Sequence, residues 1–391
     1  MEQLAAMNAP MQSLPAWMYT DQAFFERERE TIFRTAWQVV CHLNDIPEAG
    51  DYQAFDFLGE KVLTVRGEDG QVRSFHNACR HRASRLADGN QGNCGHRIVC
   101  PYHAWSYGLD GRLANVPKWQ GFEDLDKGEH GLRPIEQEIF LGFIFVRFEG
   151  GLPSVAEMMA PYADELAPHC PPDLVPQGRV TLRPRPVNWK NISDNYSDSL
   201  HIPVAHPGLT RLFGPTYGIE AAPWVDKMWG DITETPSSNW VERNYQALLP
   251  KFDHLEGRAQ RQWNYYKLWP NVAFDVYPDQ IDFMQFIPIS PTQTLIREIA
   301  YVRPDARREA KAARYLNWRI NRQVNAEDTV LIKRVQDGME SSAYESGPLG
   351  PSEVCLKSFA EKLTAMIPEA AAWVARKADP QKGDWRPAAG C

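Results

Sequence analysis

Two short residue pairs offer metal-binding chemistry: Cys79-Arg80-His81 and Cys100-Pro101-Tyr102-His103. Each follows a stretch with strand character, where a hairpin loop would begin. Two such loops side by side present two thiolates and two imidazoles, a donor set suited to zinc or to an iron–sulfur centre. Structural zinc motifs keep like ligands together, as C-x2-C and H-x3-5-H. Here each pair mixes one Cys with one His, as expected when each loop gives one ligand to each of two irons. Two histidines on one iron and two cysteines on the other define a Rieske [2Fe–2S] centre, whose neutral imidazoles raise the reduction potential. Cys94, His76 and His96 lie near these loops and read as structural or solvent-facing side chains.

Asp198, His201 and His206 form a second constellation. Asp198 and His201 are three apart and would share one helix face. Pro203 should break that helix, letting His206 swing back towards His201. Two neutral imidazoles and one carboxylate make a facial triad that binds ferrous iron and leaves positions open for O2. A Rieske centre transfers electrons, so it needs a partner that consumes them.

The flanks add a resemblance. Arg82 follows His81, Trp105 and Tyr107 follow His103, and Asn188-Trp189-Lys190 leads into the second constellation. These stretches resemble the two motifs of the Rieske non-heme iron oxygenases, in their α (terminal oxygenase) subunit. Ala104 stands where that family often carries Gly, a departure of one methyl group. The resemblance implies that Cys79, His81, Cys100 and His103 hold the cluster and that His201 and His206 hold a mononuclear Fe(II). It implies Asp328 as the third iron ligand, on a helical segment running to Gln336, with Glu327 as its rival. Asp198 matches the bridging carboxylate that meets His103 of the partner subunit. Asp194 and Asn195 match positions that hydrogen-bond beside the iron without ligating it. A head-to-tail homotrimer (α3) and a separate NAD(P)H reductase, with or without a ferredoxin, are implied as well. No G-x-G-x-x-G follows a strand, so NAD(P)H acts only indirectly.

The Asp194-Asn195-Tyr196 wording resembles the choline, carnitine and stachydrine branch. It implies hydroxylation or oxidative demethylation or dealkylation of a quaternary amine, betaine-like or N-/O-alkyl compound. The alternative within the family is aromatic-ring cis-dihydroxylation by a dioxygenase. Outside it, the alternative is a zinc hydrolase with a structural zinc site. Phe213, Trp224, Trp229 and Trp240, with Tyr217, Trp263 and Trp269, follow the iron motif and are candidate pocket walls. They would stack on a ring or cage a cation.

The elements that must position these residues follow from pattern. Thr20 to Trp37 reads as one helix, capped by Thr20 or Asp21. Lys61–Val65 and Gln71–Phe75 flank Asp69-Gly70, a hairpin signal that Asp110-Gly111 repeats. Residues 139–148 read as a strand and the proline-dense 167–176 as a linker. Trp189 to His201 is helix-compatible. Strands are expected over 272–276, 281–289 and 295–302, then a helix over 306–336 that stops at Gly338. The fold class is therefore α+β. A helical segment (1–37) precedes an all-β Rieske domain (38–150) and a catalytic domain (151–391). The resemblance makes that last domain an antiparallel sheet flanked by helices, helix-grip-like.

At roughly 150 residues per domain, 391 residues allow two or three. A hydrophobic share of 43% supplies a sizeable core. The formal charge of −8 disfavours nucleic acid. No run approaches the ~18 apolar residues of a membrane span. Met1 to Pro15 lacks the pattern of a secretory signal. A cytoplasmic location is expected, where the 7 cysteines are reduced.

Overall fold

The computed structural model describes residues 12–367, 369, 370 and 372. Residues 1–11 of the expected helical segment, and most of the chain beyond 367, lie outside the described residues.

The Thr20–Trp37 expectation is corrected. Asp21 does cap the helix, its carboxylate accepting from the Phe24 amide at 2.7 Å, but the α-helix covers only Gln22–Glu28. Arg29–Phe33 continues as a wider π turn. Thr31 donates to the Arg27 carbonyl and Thr35 to those of Thr31 and Ile32, back-bonding that disturbs regular helix. The turn buries Ile32 and Phe33 together.

Three antiparallel sheets follow. Gln38–His42 pairs Phe143–Arg147, which pairs Glu136–Phe140. A four-stranded sheet runs Val72–His76, Glu60–Arg66, Asp51–Phe57, Gln91–Asn93. Arg97–Val99, Ser106–Gly108 and Leu113–Asn115 make the third. Both Asp-Gly turns form as expected. Gly111 has φ +86° and lies so close to Phe75 that a Cβ there would sit 2.4 Å from the ring, so only glycine fits. The cores divide unevenly. Leu63, Val65, Phe75, Cys79, Cys100 and Trp105 belong to a cluster of their own. Val39, Val40 and Phe143–Val146 share a core with the catalytic sheet. Arg297 spans that junction, donating to the carbonyls of Val39 and Val40.

The catalytic sheet has eight antiparallel strands, with Ile281–Ser290 and Gln293–Val302 as its longest pair. The strands expected at 272–276, 281–289 and 295–302 are present. The 167–176 segment is not a free linker. It forms a tight turn at Ala167–His169, and Val175–Pro176 pairs with the sheet. Thr181–Arg185 pairs with the same strand further along. The helix Arg308–Met339 has 32 residues, about 48 Å at 1.5 Å per residue. It ends one residue past the glycine expected to stop it. The motif helix Trp189–Tyr196 lies between this long helix and the sheet. The result is the expected α+β architecture.

Candidate metal centres

Cys79 and Cys100 open two loops of the same construction. The Ala83 amide returns to the Cys79 carbonyl at 2.9 Å, and the Ala104 amide to the Cys100 carbonyl at 3.1 Å. Ala83 and Ala104 both sit in the left-handed region, at φ +55° and +56°. This revises the expectation at Ala104. Its methyl group accompanies a backbone that favours glycine, at a cost of about 1 kcal/mol.

Both thiols are buried. The Tyr107 hydroxyl lies 3.2 Å from Cys79 Sγ and accepts from the Arg80 amide at 3.0 Å. Burial opposes ionisation of either thiol and raises the pKa of Cys79. At Cys100 the backbone amides of Tyr102 and His103 outweigh burial and bring the thiol below its ordinary value. The His81 and His103 rings lie 4.7 Å apart, and His81 stacks on Trp105 at 4.8 Å. His81 Nδ1 is buried without a hydrogen-bond partner, as a metal-facing nitrogen would be. Among the described residues, no three of these four donors converge within 4.8 Å. A single tetrahedral zinc needs donors closer than that, so the structural-zinc alternative does not fit. Two adjacent thiols beside two adjacent imidazoles fit a two-iron cluster.

The second constellation is built differently from expectation. The motif helix stops at Tyr196, so Asp198 and His201 share no helix face. Their contact comes from a turn. The Asp198 carboxylate accepts from the Leu200 amide at 2.7 Å and the His201 amide at 3.2 Å, and lies 3.0 Å from His201 Nδ1. Pro203 is the second residue of a short helix, Ile202–Ala205, and Pro207 the first of the next, Pro207–Phe213. His201 and His206 occupy the cap positions of these two helices. Proline is well suited to a first turn, where its missing N–H costs nothing. The two imidazoles end 5.0 Å apart at 78°.

Asp328 reaches them from the long helix. Its Oδ1 lies 3.0 Å from His206 Nε2 and 3.7 Å from His201 Nε2. This oxygen is buried and makes no hydrogen bond. His201, His206 and Asp328 are the metal-compatible group among the described residues, and the orphaned oxygen fits an absent cation. Glu327 faces the other side of His206, with Oε2 at 2.8 Å from Nδ1. Burial resists protonation of His206, but the Asp328 and Glu327 carboxylates outweigh it and raise its pKa. Burial also acts against ionised Asp198, yet His201 and the Leu200 amide win and lower its pKa. Gln336 is buried and accepts from the Asn188 amide and the Asn191 side chain, tying the motif helix to the long helix.

The expected neighbours separate. Asn195 lines the cavity beside the histidines. Asp194 is turned towards Tyr19, whose hydroxyl donates to it at 2.6 Å, and burial pushes its pKa up to about 6. That cavity has a volume of about 100 Å³ and shares walls with an outer one of about 860 Å³. Phe213, Trp224, Trp229 and Trp240 are not among its walls. Phe213 packs edge-on against Trp263 in the core. Trp224 packs against the main core, Trp229 covers Gly218, and Trp240 is exposed at a helix start. Of the expected aromatic residues Tyr217 does line the cavity, beside Tyr196 and Tyr265.

Sequence reasoning missed Asp275, a cavity wall whose carboxylate accepts from the Tyr196 and Tyr277 hydroxyls. Burial pushes its pKa up to about 6. The available signal was a charged residue inside an otherwise apolar strand, Val272–Val276.

Residues 169–369 match the family described as ring hydroxylating alpha subunit (catalytic domain), and residues 36–126 match the Rieske [2Fe-2S] domain. The chain is 30% identical over 339 residues to the carnitine monooxygenase oxygenase subunit of Escherichia coli (strain K12), covering 85% of each. It is 31% identical over 341 residues to the chloroplastic choline monooxygenase of Atriplex hortensis, covering 85% of this chain and 73% of that one. A solved quaternary ammonium Rieske monooxygenase, described as informative on carnitine oxidation and inter-subunit electron transfer, superposes with a TM-score of 0.78. It shares 25% identity and covers 93% of this chain and 97% of that one.

Proposed function

The chain belongs to the Rieske non-heme iron oxygenases as a terminal oxygenase α subunit, an oxidoreductase with a Rieske [2Fe–2S] cluster and a mononuclear iron, and on that premise we propose that it hydroxylates a carbon bonded to nitrogen in a quaternary amine. The carrying observation is the small cavity beside His201, His206 and Asp328, walled by the buried carboxylate of Asp275 and by Tyr196, Tyr217 and Tyr265. A carboxylate with aromatic faces attracts a cation. A hydrocarbon ring there would leave a buried charge uncompensated, which weighs against ring dihydroxylation.

In this reading Cys79 and Cys100 hold one iron of the cluster, His81 and His103 the other, and His201, His206 and Asp328 hold the mononuclear iron. When bound, the cluster supplies single electrons and the ferrous ion activates O2. The chain's residues do the rest. Asp198 and Glu327 fix the two imidazoles from their far nitrogens, so that each Nε2 faces the metal. Asp275 and the tyrosines orient the ammonium group, while Ile192, Leu209 and Ile332 line the wall with apolar surface that excludes water. A methyl carbon hydroxylated next to nitrogen breaks its C–N bond, releasing the amine, an aldehyde and a proton.

The assembly is a head-to-tail homotrimer, with Asp198 linking to His103 of the partner subunit. Within the chain the His103 ring lies against His81 and Tyr102, and Asp198 meets Leu200 and His201. His103 is exposed, as a donor to another subunit must be. Electrons come from a separate NAD(P)H reductase, with or without a ferredoxin. The division at residues 37 and 150 and a cytoplasmic location belong to the same proposal. Among the described residues no helix is long and apolar enough to cross a membrane.

The test is oxygen uptake by the purified oxygenase with a generic reductase, over quaternary amines, N-alkyl amides and aromatic acids, with mass detection of products. Uptake coupled to loss of an N-linked carbon is expected. A cis-dihydrodiol from an aromatic acid, with quaternary amines inert, overturns the reading.

A further inference from the structure

The edge strand Thr181–Arg185 places Arg183 and Arg185 two residues apart, on one face. Arg183 is neutralised: it pairs with Glu298 and donates to Asn325 Oδ1 at 3.3 Å. Arg185 is not. Its guanidinium donates to the Pro184 carbonyl at 3.1 Å, and among the described residues no carboxylate lies within ion-pair distance of it. It is nonetheless partly buried. Burial first, then repulsion by Arg183, lowers its pKa, with only Glu298 opposing. An unpaired guanidinium in such a place is costly unless something completes it.

Its position says what that something is. Arg185 walls both the small inner cavity and the outer one, and so does Asp275. The inner cavity, about 100 Å³, is below the ~300 Å³ of an ordinary ligand pocket, so it takes a compact head group. A cation and an anion are therefore called for within one short ligand.

Resting on the quaternary-amine reading, we propose that Arg185 is the specificity-determining residue that binds an anionic group on the substrate, which is therefore a zwitterion. The ammonium end sits at Asp275, Tyr196, Tyr217 and Tyr265, and a carboxylate a few bonds away takes the free guanidinium fork. That polarity also orients the molecule, bringing carbons bonded to nitrogen to His201, His206 and Asp328. A purely cationic amino alcohol satisfies Asp275 and leaves Arg185 unpaired.

The experiment measures binding of a trimethylammonio-butyrate, its methyl ester and choline to the loaded oxygenase by anaerobic calorimetry, without reductase. The acid should bind roughly tenfold or more tighter than the ester, as a charge-assisted pair provides. Arg185→Gln should weaken the acid by about that factor and leave the ester unchanged, and Arg185→Lys should restore part of the loss. Asp275→Asn should weaken acid and ester alike, because both keep the ammonium end. The cluster's visible spectrum reports that each variant is folded. Equal binding of acid and ester, or an Arg185→Gln variant weakened for both in proportion, overturns the zwitterion assignment and leaves the quaternary-amine reading standing. No binding of any of the three overturns both.

Discussion

Each imidazole of the second constellation has a carboxylate behind it: Asp198 at His201 Nδ1, Glu327 at His206 Nδ1. Adjacent residues on one helix thus take opposite duties. Asp328 faces both Nε2 atoms, and Glu327 reaches round to the far side. The expected outcome is that Asp328→Ala loses mononuclear iron while keeping the cluster. Glu327→Gln keeps iron and binds it about 10- to 100-fold more weakly, the usual effect of losing an outer partner. Iron-to-protein ratios with chelator competition check this, and an empty Glu327→Gln beside a loaded Asp328→Ala would reverse the roles. Asp275 gives a second prediction. Its folded pKa, about 6, lies above the ordinary 3.8, so its contribution to stability is lost as pH rises from about 4 through 6. The penalty above that range is on the order of 3 kcal/mol. Tyr196, Tyr277, Glu298, Arg183 and Asp282 face it, and burial dominates them. Asp275→Asn should therefore gain melting temperature relative to the parent at pH 8 compared with pH 5. An offset that does not change with pH would mean that Asp275 does not carry the titration. The iron motif was legible because its residues stand close in sequence and their types are chemically narrow. Tyr217 was named among the aromatic candidates, but Asp275, Arg185, Tyr196 and Tyr265 were not legible as cavity walls, because separate strands and a helix end bring them together.

At the scale of elements, turns were more legible than helix lengths. Asp69-Gly70 and Asp110-Gly111 specify positive φ by composition alone. The helix at Thr20–Trp37 and the one over the iron motif were both read too long, because apolar spacing cannot show where a threonine bonds backwards or where a carboxylate caps a turn. The tryptophans were read as pocket walls for a related reason: aromatic type tells burial, and the core competes with the cavity for it. What holds the motif helix in place is also invisible locally. Lys190 pairs with Glu28 at 2.6 Å, both side chains fully buried, and the Trp189 indole donates to the same carboxylate. Lys190→Met removes one partner and leaves a buried carboxylate, so a loss of about 3–5 kcal/mol is expected. Adding Glu28→Gln should recover much of it, since the leftover charge is then gone. Denaturant melts of the single and double variants decide between this account and simple overpacking by methionine, in which the second change recovers nothing.

The whole molecule presents its two metal centres to the outside at different places. Tyr102 is 57% exposed beside His103, and Leu200 and Val204 are 53% and 86% exposed around His201. Exposed apolar residues at both ends of a proposed electron path are what a subunit interface requires. In a closed ring each subunit offers one surface of each kind, so every iron is served by a neighbour's cluster. A mixing experiment reads this directly. His103→Ala alters an exposed residue proposed as a ligand and should disable the cluster, while His206→Ala should disable the iron; each variant expressed alone should be inactive. Co-expressed in equal amounts, the two chains assemble at random. An intact iron then sits in half of the subunits, and its donor is intact in half of those cases, so about a quarter of the parental activity per subunit is expected. If the path ran within one chain, no mixed trimer would hold a complete one, and activity would stay at zero. Asp198→Asn added to the His103→Ala chain, co-expressed with the His206→Ala chain, then locates the link. An intact cluster beside a substituted Asp198 should give little turnover while both metals remain bound.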